Sequence, residues 1–375
     1  MAATGCVHHH SENRRGGIEV PLFGPLLAAQ ELAEAGEALL ARNLKFLGEE
    51  VKRAGQAPPH PATHNVIRLD LRTMRLRDYG GPTGVPTLVN APFAGHSAMI
   101  ADYHKGQSLI ETLLSARIGP VFLTDWKSAS LDMKDLEIDQ YLAELHVAVE
   151  EAGGRVNLVG LCQGGWMAAI YAARFPHRVA SLVLAGAPID TAAGDGPIKR
   201  MVHLCPASFY QELVDLGGGL MRGAVMLGGW KNMHPVQHFV QEYIDLYEHI
   251  EDPAYLRKQD VFERWYENPI DLPGRWYMQA ITQIFQENRL ARGRFVALGR
   301  RISLRAIACP TYLLAGESDD ITTAEQVFNA RHLLGTRPEA IMQKLVPGGH
   351  IGLFMGARTL AETWPAIARW IAGQG

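Results

Sequence analysis

RVNLVGLCQGGWMAAIYAARF, residues 155–175, is the stretch that decides the fold. Arg155 to Leu161 is a short apolar run suited to a buried strand, and Trp166 to Phe175 reads as a helix packed all round its axis. Between them lies Cys162, with Gly160, Gly164 and Gly165 around it. A sharp strand-to-helix turn forces the residue at its apex into strained dihedrals, so its neighbours must be small to avoid collision. The following helix directs unpaired N–H groups and the positive end of its dipole at the sulfur, which favours thiolate over thiol. Such a thiol suits covalent acyl chemistry; the plain alternative is a buried structural cysteine beside a glycine turn.

A Gly-x-nucleophile-x-Gly turn of this kind is the elbow of α/β-hydrolase folds, here with a thiol in place of the usual serine. In that fold the nucleophile is followed along the chain by an acid and then a histidine. Both are found in order. Thr311 to Gly316 (TYLLAG) reads as a buried strand running into Glu317-Ser318-Asp319-Asp320, which puts Asp319 just past its carboxyl end. Ile341 to Val346 (IMQKLV) reads as the last strand, and Pro347-Gly348-Gly349-His350 is a loop presenting an imidazole at the same sheet edge. Parallel α/β sheets place their active sites at the carboxyl ends of strands, so three residues that each follow a strand converge there. The expected catalytic set is Cys162 as nucleophile, Asp319 as acid and His350 as general base. Taken singly, Asp319 could be a cap for the helix near Thr323 and His350 a loop residue. Two adjacent carboxylates cannot both orient one imidazole, so Asp320 reads as a helix cap or a supporting group.

An oxyanion needs two backbone donors, one from the residue after the nucleophile and one from the loop after an early strand. Gln163 supplies the first. Val85 to Ala91 (VPTLVNA) reads as the early strand, so the second is the amide of Phe93 or Ala94, because Pro92 has no N–H to donate. His96, in the same loop beside Gly95, reads as a turn residue.

At 375 residues and 47% hydrophobic, the chain can bury a large core. A formal net charge of -3 gives no electrostatic case for nucleic acid. Cys6, Cys162, Cys205 and Cys309 show neither disulfide nor metal spacing, so no metal is expected. The opening MAATGCVHHHSENRRGG lacks the apolar core of a signal peptide, and no run reaches the roughly 18 apolar residues of a membrane span, so a cytoplasmic location is expected. His8, His9 and His10 read as part of a polar leader.

Four parts follow from the pattern: a flexible leader over 1–24, a first core part over 25–190, a helical lid over 191–300 and a second core part over 301–375. Leu26 to Arg53 has helical spacing and reads as a cover on the core, with pairing to a second copy, a homo-oligomer, as the alternative. Asn65 to Tyr79 alternates as an antiparallel strand pair at a sheet edge. Strands at Val121 to Thr124 and Val179 to Ala187, with a helix over Leu136 to Glu151, complete a doubly wound, mostly parallel sheet flanked by helices. In 191–300 aromatic residues such as Phe209, Tyr210, Trp230, Phe239, Tyr243, Tyr247, Trp265, Tyr266, Trp276, Tyr277 and Phe285 recur without buried strands, as in a lid that closes a reaction off from water.

The combination of Ala91-Pro92-Phe93-Ala94-Gly95-His96, Thr124-Asp125-Trp126, the Cys162 elbow, Gly186-Ala187-Pro188-Ile189-Asp190, Phe285-Gln286-Glu287-Asn288-Arg289-Leu290, Gly316-Glu317-Ser318-Asp319-Asp320-Ile321 and Gly349-His350-Ile351-Gly352 resembles the intracellular poly(3-hydroxybutyrate) depolymerases. The resemblance spans roughly residues 85 to 360. It implies a thiol α/β-hydrolase that needs no cofactor and acts on a polyester granule or on 3-hydroxyalkanoate oligomers, with Cys162, Asp319 and His350 as the triad and granule association in the cell. Polyhydroxyalkanoate synthases share the same triad, and Gln163-Gly164-Gly165 matches their elbow, whereas the depolymerases carry proline after Cys-Gln. Pro347-Gly348-Gly349-His350-Ile351-Gly352 also appears in the short synthases that need a partner subunit. Against that, the synthases carry histidine after the acid, where this chain has Asp320, and lack the Gly95-His96 pair. Ester hydrolysis through an acyl-thioester is therefore the expected reaction. Polymerisation of 3-hydroxyacyl-CoA and a non-catalytic granule-binding protein are the alternatives.

Overall fold

The computed structural model describes residues 60–233 and 252–374, together with Lys45. The expected leader, the Leu26–Arg53 helix apart from Lys45, and Phe239, Tyr243 and Tyr247 lie outside the described residues, as does the side chain of Trp230.

The first elements of the continuous described stretch are the antiparallel pair β1 (Val66–Asp70) and β2 (Met74–Asp78), as the alternation over residues 65–79 predicts. There follow β3 (Thr87–Asn90), α1 (Leu109–Ser115), β4 (Val121–Trp126), α2 (Ile138–Glu151), β5 (Val156–Leu161), α3 (Gln163–Arg174) and β6 (Val179–Ala185). The next segment is α4 (Pro197–Leu204), α5 (Ala207–Leu216), β7 (Leu220–Met221), α6 (Gly223–Met233), α7 (Pro253–Tyr266), β8 (Leu272–Pro273) and α8 (Gly274–Gln279). A π-helical turn over Ala280–Gln286 and the hairpin of β9 (Val296–Ala297) and β10 (Arg300–Arg301) lead back to the sheet. The chain closes with β11 (Thr311–Gly316), α9 (Ala324–Phe328), α10 (Ala330–Leu333), β12 (Ile341–Val346), α11 (Gly352–Met355), α12 (Ala357–Glu362) and α13 (Trp364–Ala372).

Eight strands form one sheet in the order β1-β2-β4-β3-β5-β6-β11-β12. Only the β1-β2 and β2-β4 pairs are antiparallel; the rest run parallel. The inner strands β3, β5, β6 and β11 are buried along their whole length, because helices cover both faces and a parallel strand in that position has no wet side. The edge strand β12 is mostly exposed. Helix α3 buries every residue from Gly164 to Ala173, which explains why its sequence shows no polar stripe.

The segment between β6 and β11 is tied into this core by aromatic packing. Trp276 of α8 meets the Phe93 ring edge-on at 5.0 Å, and Phe93 stacks on Tyr141 of α2 at 4.8 Å. One expectation is corrected here. The helical segment was read as free of buried strands, yet β7 and β8 pair antiparallel and both are buried. Two residues per strand are too few to produce a readable alternation.

Candidate active site

Cys162 follows the last residue of β5 and is held at φ 49° and ψ -122°, a left-handed backbone that side chains rarely adopt. Its N–H donates to Ala185 O of β6 at 2.9 Å, and its carbonyl accepts the Gly165 N–H at 2.8 Å, so the turn is clamped on both sides. The three glycines are required by space. A β-carbon at Gly160 would lie 2.5 Å from Gly165 Cα, one at Gly164 2.2 Å from Asn90 O, and one at Gly165 2.3 Å from Ala187 Cβ. Each is far inside van der Waals contact. The elbow is thus packed directly against β3 and β6 with no room for side chains.

The loops after β11 and β12 are zipped to each other. Glu317 N donates to Val346 O at 2.8 Å and Ser318 N to Gly348 O at 3.2 Å. This pairing places Asp319 beside His350. His350 Nδ1–H donates to Asp319 Oδ2 at 2.7 Å, while Asp319 Oδ1 accepts the N–H groups of Ile321 (3.0 Å) and Thr322 (2.8 Å). His350 is packed edge-on against Phe354 at 5.4 Å, and a β-carbon at Gly186 would stand 3.2 Å from its Cε1, so the ring has one seat.

Cys162, Asp319 and His350 are all buried, with 7%, 5% and 9% of their surface exposed. Burial alone would push the imidazole pKa down, but Cys162 and then Asp319 outweigh it and hold His350 well above the ordinary histidine range. With Nδ1 committed to Asp319, Nε2 is buried and finds no hydrogen-bond partner among the described residues. It is the ring atom left for a reacting group. Cys162 and His350 both line one cavity of about 520 Å³.

Gln163 opens α3, so its N–H has no acceptor inside the helix. The amides of Phe93 and Ala94 have no backbone partner among the described residues. Ala94 lines the cavity, whereas the Phe93 side chain is fully buried in the aromatic core.

Two sequence readings change. His96 is no simple turn residue: it lines the cavity, its Nε2 lies 2.8 Å from Tyr266 O, and its ring stacks on Tyr266 at 5.2 Å and against Trp265 at 4.7 Å. Confinement pushes its pKa down to about 4, against a small opposing effect of the Tyr266 carbonyl. Asp320 is not the cap of α9, whose N-cap is Thr323; it lines the cavity instead. The sequence reading passed over Trp265, Tyr266 and Phe285 as individual wall residues. Their only signal is the aromatic richness of the segment. Ile198, Phe285, Ile321 and Ile351 make the rest of that wall predominantly apolar.

Among the described residues no group of histidine, cysteine and carboxylate side chains could hold a metal ion, and no helix is long and apolar enough to cross a membrane. Cys162, Cys205 and Cys309 are free thiols.

A mostly parallel eight-stranded sheet with a strained elbow after β5 defines an α/β-hydrolase fold protein. The same fold is seen in the monoacylglycerol lipase of Paleococcus ferrophilus, which superposes with a TM-score of 0.53 at 17% identity over 80% of this chain and 99% of the lipase. The chain belongs to the family described as "Protein of unknown function (DUF3141)", whose model matches residues 30–345. It is also distantly related to the poly(3-hydroxyalkanoate) polymerase subunit PhaC. The Haloferax mediterranei protein is 27% identical over 295 residues, which cover 77% of this chain and 58% of the relative. The Allochromatium vinosum protein is 26% identical over 309 residues, covering 79% and 83%. The chain therefore spans under two thirds of the Haloferax protein and most of the Allochromatium one. These relatives carry the name of the polymerase, so the kinship with the synthases is a stronger signal than the expected kinship with depolymerases.

Proposed function

We propose that this protein is a cysteine-dependent acyltransferase that polymerises 3-hydroxyacyl thioesters, with Cys162, His350 and Asp319 as its catalytic set. The observation that carries the reading is the convergence of residues following β5, β11 and β12 on one cavity, with His350 Nδ1 bonded to Asp319 and Nε2 left for the reacting thiol. The relationship to PhaC supplies the substrate class.

In the first half-reaction the Cys162 thiolate attacks the thioester carbonyl, and the amides of Gln163 and of Ala94 or Phe93 hold the oxyanion. Collapse expels the carrier thiolate, which takes the proton from His350 Nε2. In the second, His350 removes the proton from the hydroxyl of another 3-hydroxyacyl unit. That oxygen attacks the acyl-Cys162 carbonyl, and the Cys162 thiolate leaves. Asp319 keeps Nδ1 protonated and stabilises the imidazolium throughout. The described helices between β6 and β11 act as a lid, and the apolar wall of Trp265, Phe285, Ile198 and Ile321 admits a hydroxyacyl chain in preference to water.

Incubation with 3-hydroxybutyryl-CoA tests this, with polymer and free thiol both measured. The expected result is an intact-mass adduct of one hydroxyacyl unit on Cys162, followed by polymer. No adduct on the wild type, or an unchanged adduct in Cys162→Ala, would overturn the reading. Hydrolysis of the polyester or its oligomers is the second reading. Asp320 and His96, both in the cavity wall, favour it, because the synthases in the resemblance above carry neither. Release of 3-hydroxybutyrate from oligomers, with no polymer made from the thioester, would select it.

A further inference from the structure

An arginine-rich stretch follows the cavity-wall residue Phe285 along the chain. Arg289, Arg292, Arg294, Arg300 and Arg301 fall close together in a chain whose formal net charge is -3. The backbone curls back on itself here. Arg294 N and Phe295 N donate to Arg289 O at 2.7 and 3.2 Å, and Arg292 N donates to Asn288 O at 3.1 Å. As a result Arg289, Arg292 and Arg294 line a single surface depression together with Glu287. The β9–β10 hairpin adds a fourth guanidinium beside them: Arg301 pairs with Val296 and donates through Nε to Gly293 O at 2.5 Å.

Glu287 is the one carboxylate lining this depression, and it is paired with Arg289. Among the described residues no carboxylate pairs with Arg292, Arg294, Arg300 or Arg301. Gathering like charges without counter-charge is unfavourable, and the arrangement gains when an anion enters. The planar guanidinium fork matches phosphate oxygens two at a time, which a set of lysines would not do.

The depression is continuous with the proposed active site along the chain. Phe285 lines the Cys162 cavity, and Glu287 and Arg289 follow two and four residues later. At 3.8 Å between consecutive α-carbons their backbones lie at most about 8 and about 15 Å from that of Phe285. The connection is also rigid. Asn288 donates to Asp190 Oδ1 at 2.6 Å, and Thr191 Oγ1 donates to Ile284 O at 2.7 Å, fastening the segment to the loop that follows β6.

We propose that Arg289, Arg292 and Arg294, with Arg301 beside them, bind the phosphate groups of the thioester's carrier. The class of ligand is a phosphorylated nucleotide on a long flexible arm whose sulfur end reaches Cys162. The inference rests on the acyltransferase reading for its substrate, and none of the four arginines touches the reacting atoms.

The test compares two acyl donors in wild type and in an Arg292→Ala/Arg294→Ala variant. 3-Hydroxybutyryl-CoA carries the phosphates; the N-acetylcysteamine thioester of the same acid does not. The expected result is a KM for the CoA thioester raised about tenfold or more, with kcat and both constants for the N-acetylcysteamine thioester unchanged. The Arg292→Lys/Arg294→Lys variant should recover part of the loss, because charge returns without the fork. An equal change for both donors, or no change for either, would overturn the assignment. Calorimetric titration of CoA into the Cys162→Ala protein, with and without the arginine pair, needs no turnover. CoA binding that depends on the pair, with neither donor turned over by wild type, keeps this subsite and removes the polymerase reading. Polymer formation together with pair-independent binding does the reverse.

Discussion

Both oxygens of Asp319 are engaged, one by His350 and the other by the Ile321 and Thr322 amides, so the carboxylate fixes the imidazole in one tautomer and one orientation. Asp319→Asn keeps the shape but turns an N–H toward Nδ1, which forces the other tautomer. By analogy with hydrolytic triads, kcat for acyl transfer should fall about 10⁴-fold with the fold retained, as read by steady-state assay and circular dichroism. Cys162 is the largest influence raising the His350 pKa, against the lowering effect of burial. Cys162→Ala should therefore move the His350 titration to lower pH, observable by NMR of the ring; an unmoved or raised titration would mean the two side chains do not interact. At this scale the pairing of Asp319 with His350, and the placement of Cys162 and His350 on one cavity, were legible from three short stretches. Each sits next to a strand end with its own local signature, whereas His96 and Asp320 have no local signature for facing a cavity.

The elbow is the element on which the site is built, and its tolerance is set by backbone contacts between β3, β5 and α3. A methyl at Gly164 must displace Asn90 O or Ala91 O, at 2.2 and 2.5 Å, and neither is a side chain that can rotate away. Gly164→Ala should cost about 1–3 kcal/mol in denaturant unfolding, with acyl transfer reduced as β3 moves relative to the helix. Elements with a clear period were legible: β1 and β2 from alternation, β5 and β11 from apolar runs, and α2 from helical spacing. The π-helical turn over Ala280–Gln286 was not, because its sequence differs in no evident way from an α-helix. Packing decides it, through Thr191 and Asn288 holding its end.

Over the whole molecule the two site histidines give stability opposite dependences on pH. The folded pKa of His350 is raised, so its contribution is complete below the unfolded value of about 6.5 and is lost as pH rises through the folded pKa. His96 is lowered to about 4, so its contribution is complete above the unfolded value and is lost as pH falls through about 4. His350→Gln should therefore cost more stability near about pH 6 than near about pH 9, and His96→Gln should flatten the loss of stability on acidification. Urea titrations of the three proteins from about pH 4 to about pH 9 check both signs.

The amino-acid sequence by itself determined the parallel sheet, the strained thiol, and the carboxylate and imidazole that follow two later strands. Those features are set by residues within a few positions of each other, through propensity, apolar period and steric demand. Only the tertiary structure decided what surrounds the thiol. It brought Trp265 and Tyr266 of α7 onto His96, turned Asp320 into the cavity, and gathered Arg289, Arg292 and Arg294 around one depression. The physical reason is that these contacts join residues distant in the chain, and their geometry is fixed by how the described residues between β6 and β11 pack against the loops that carry His96 and Asp320.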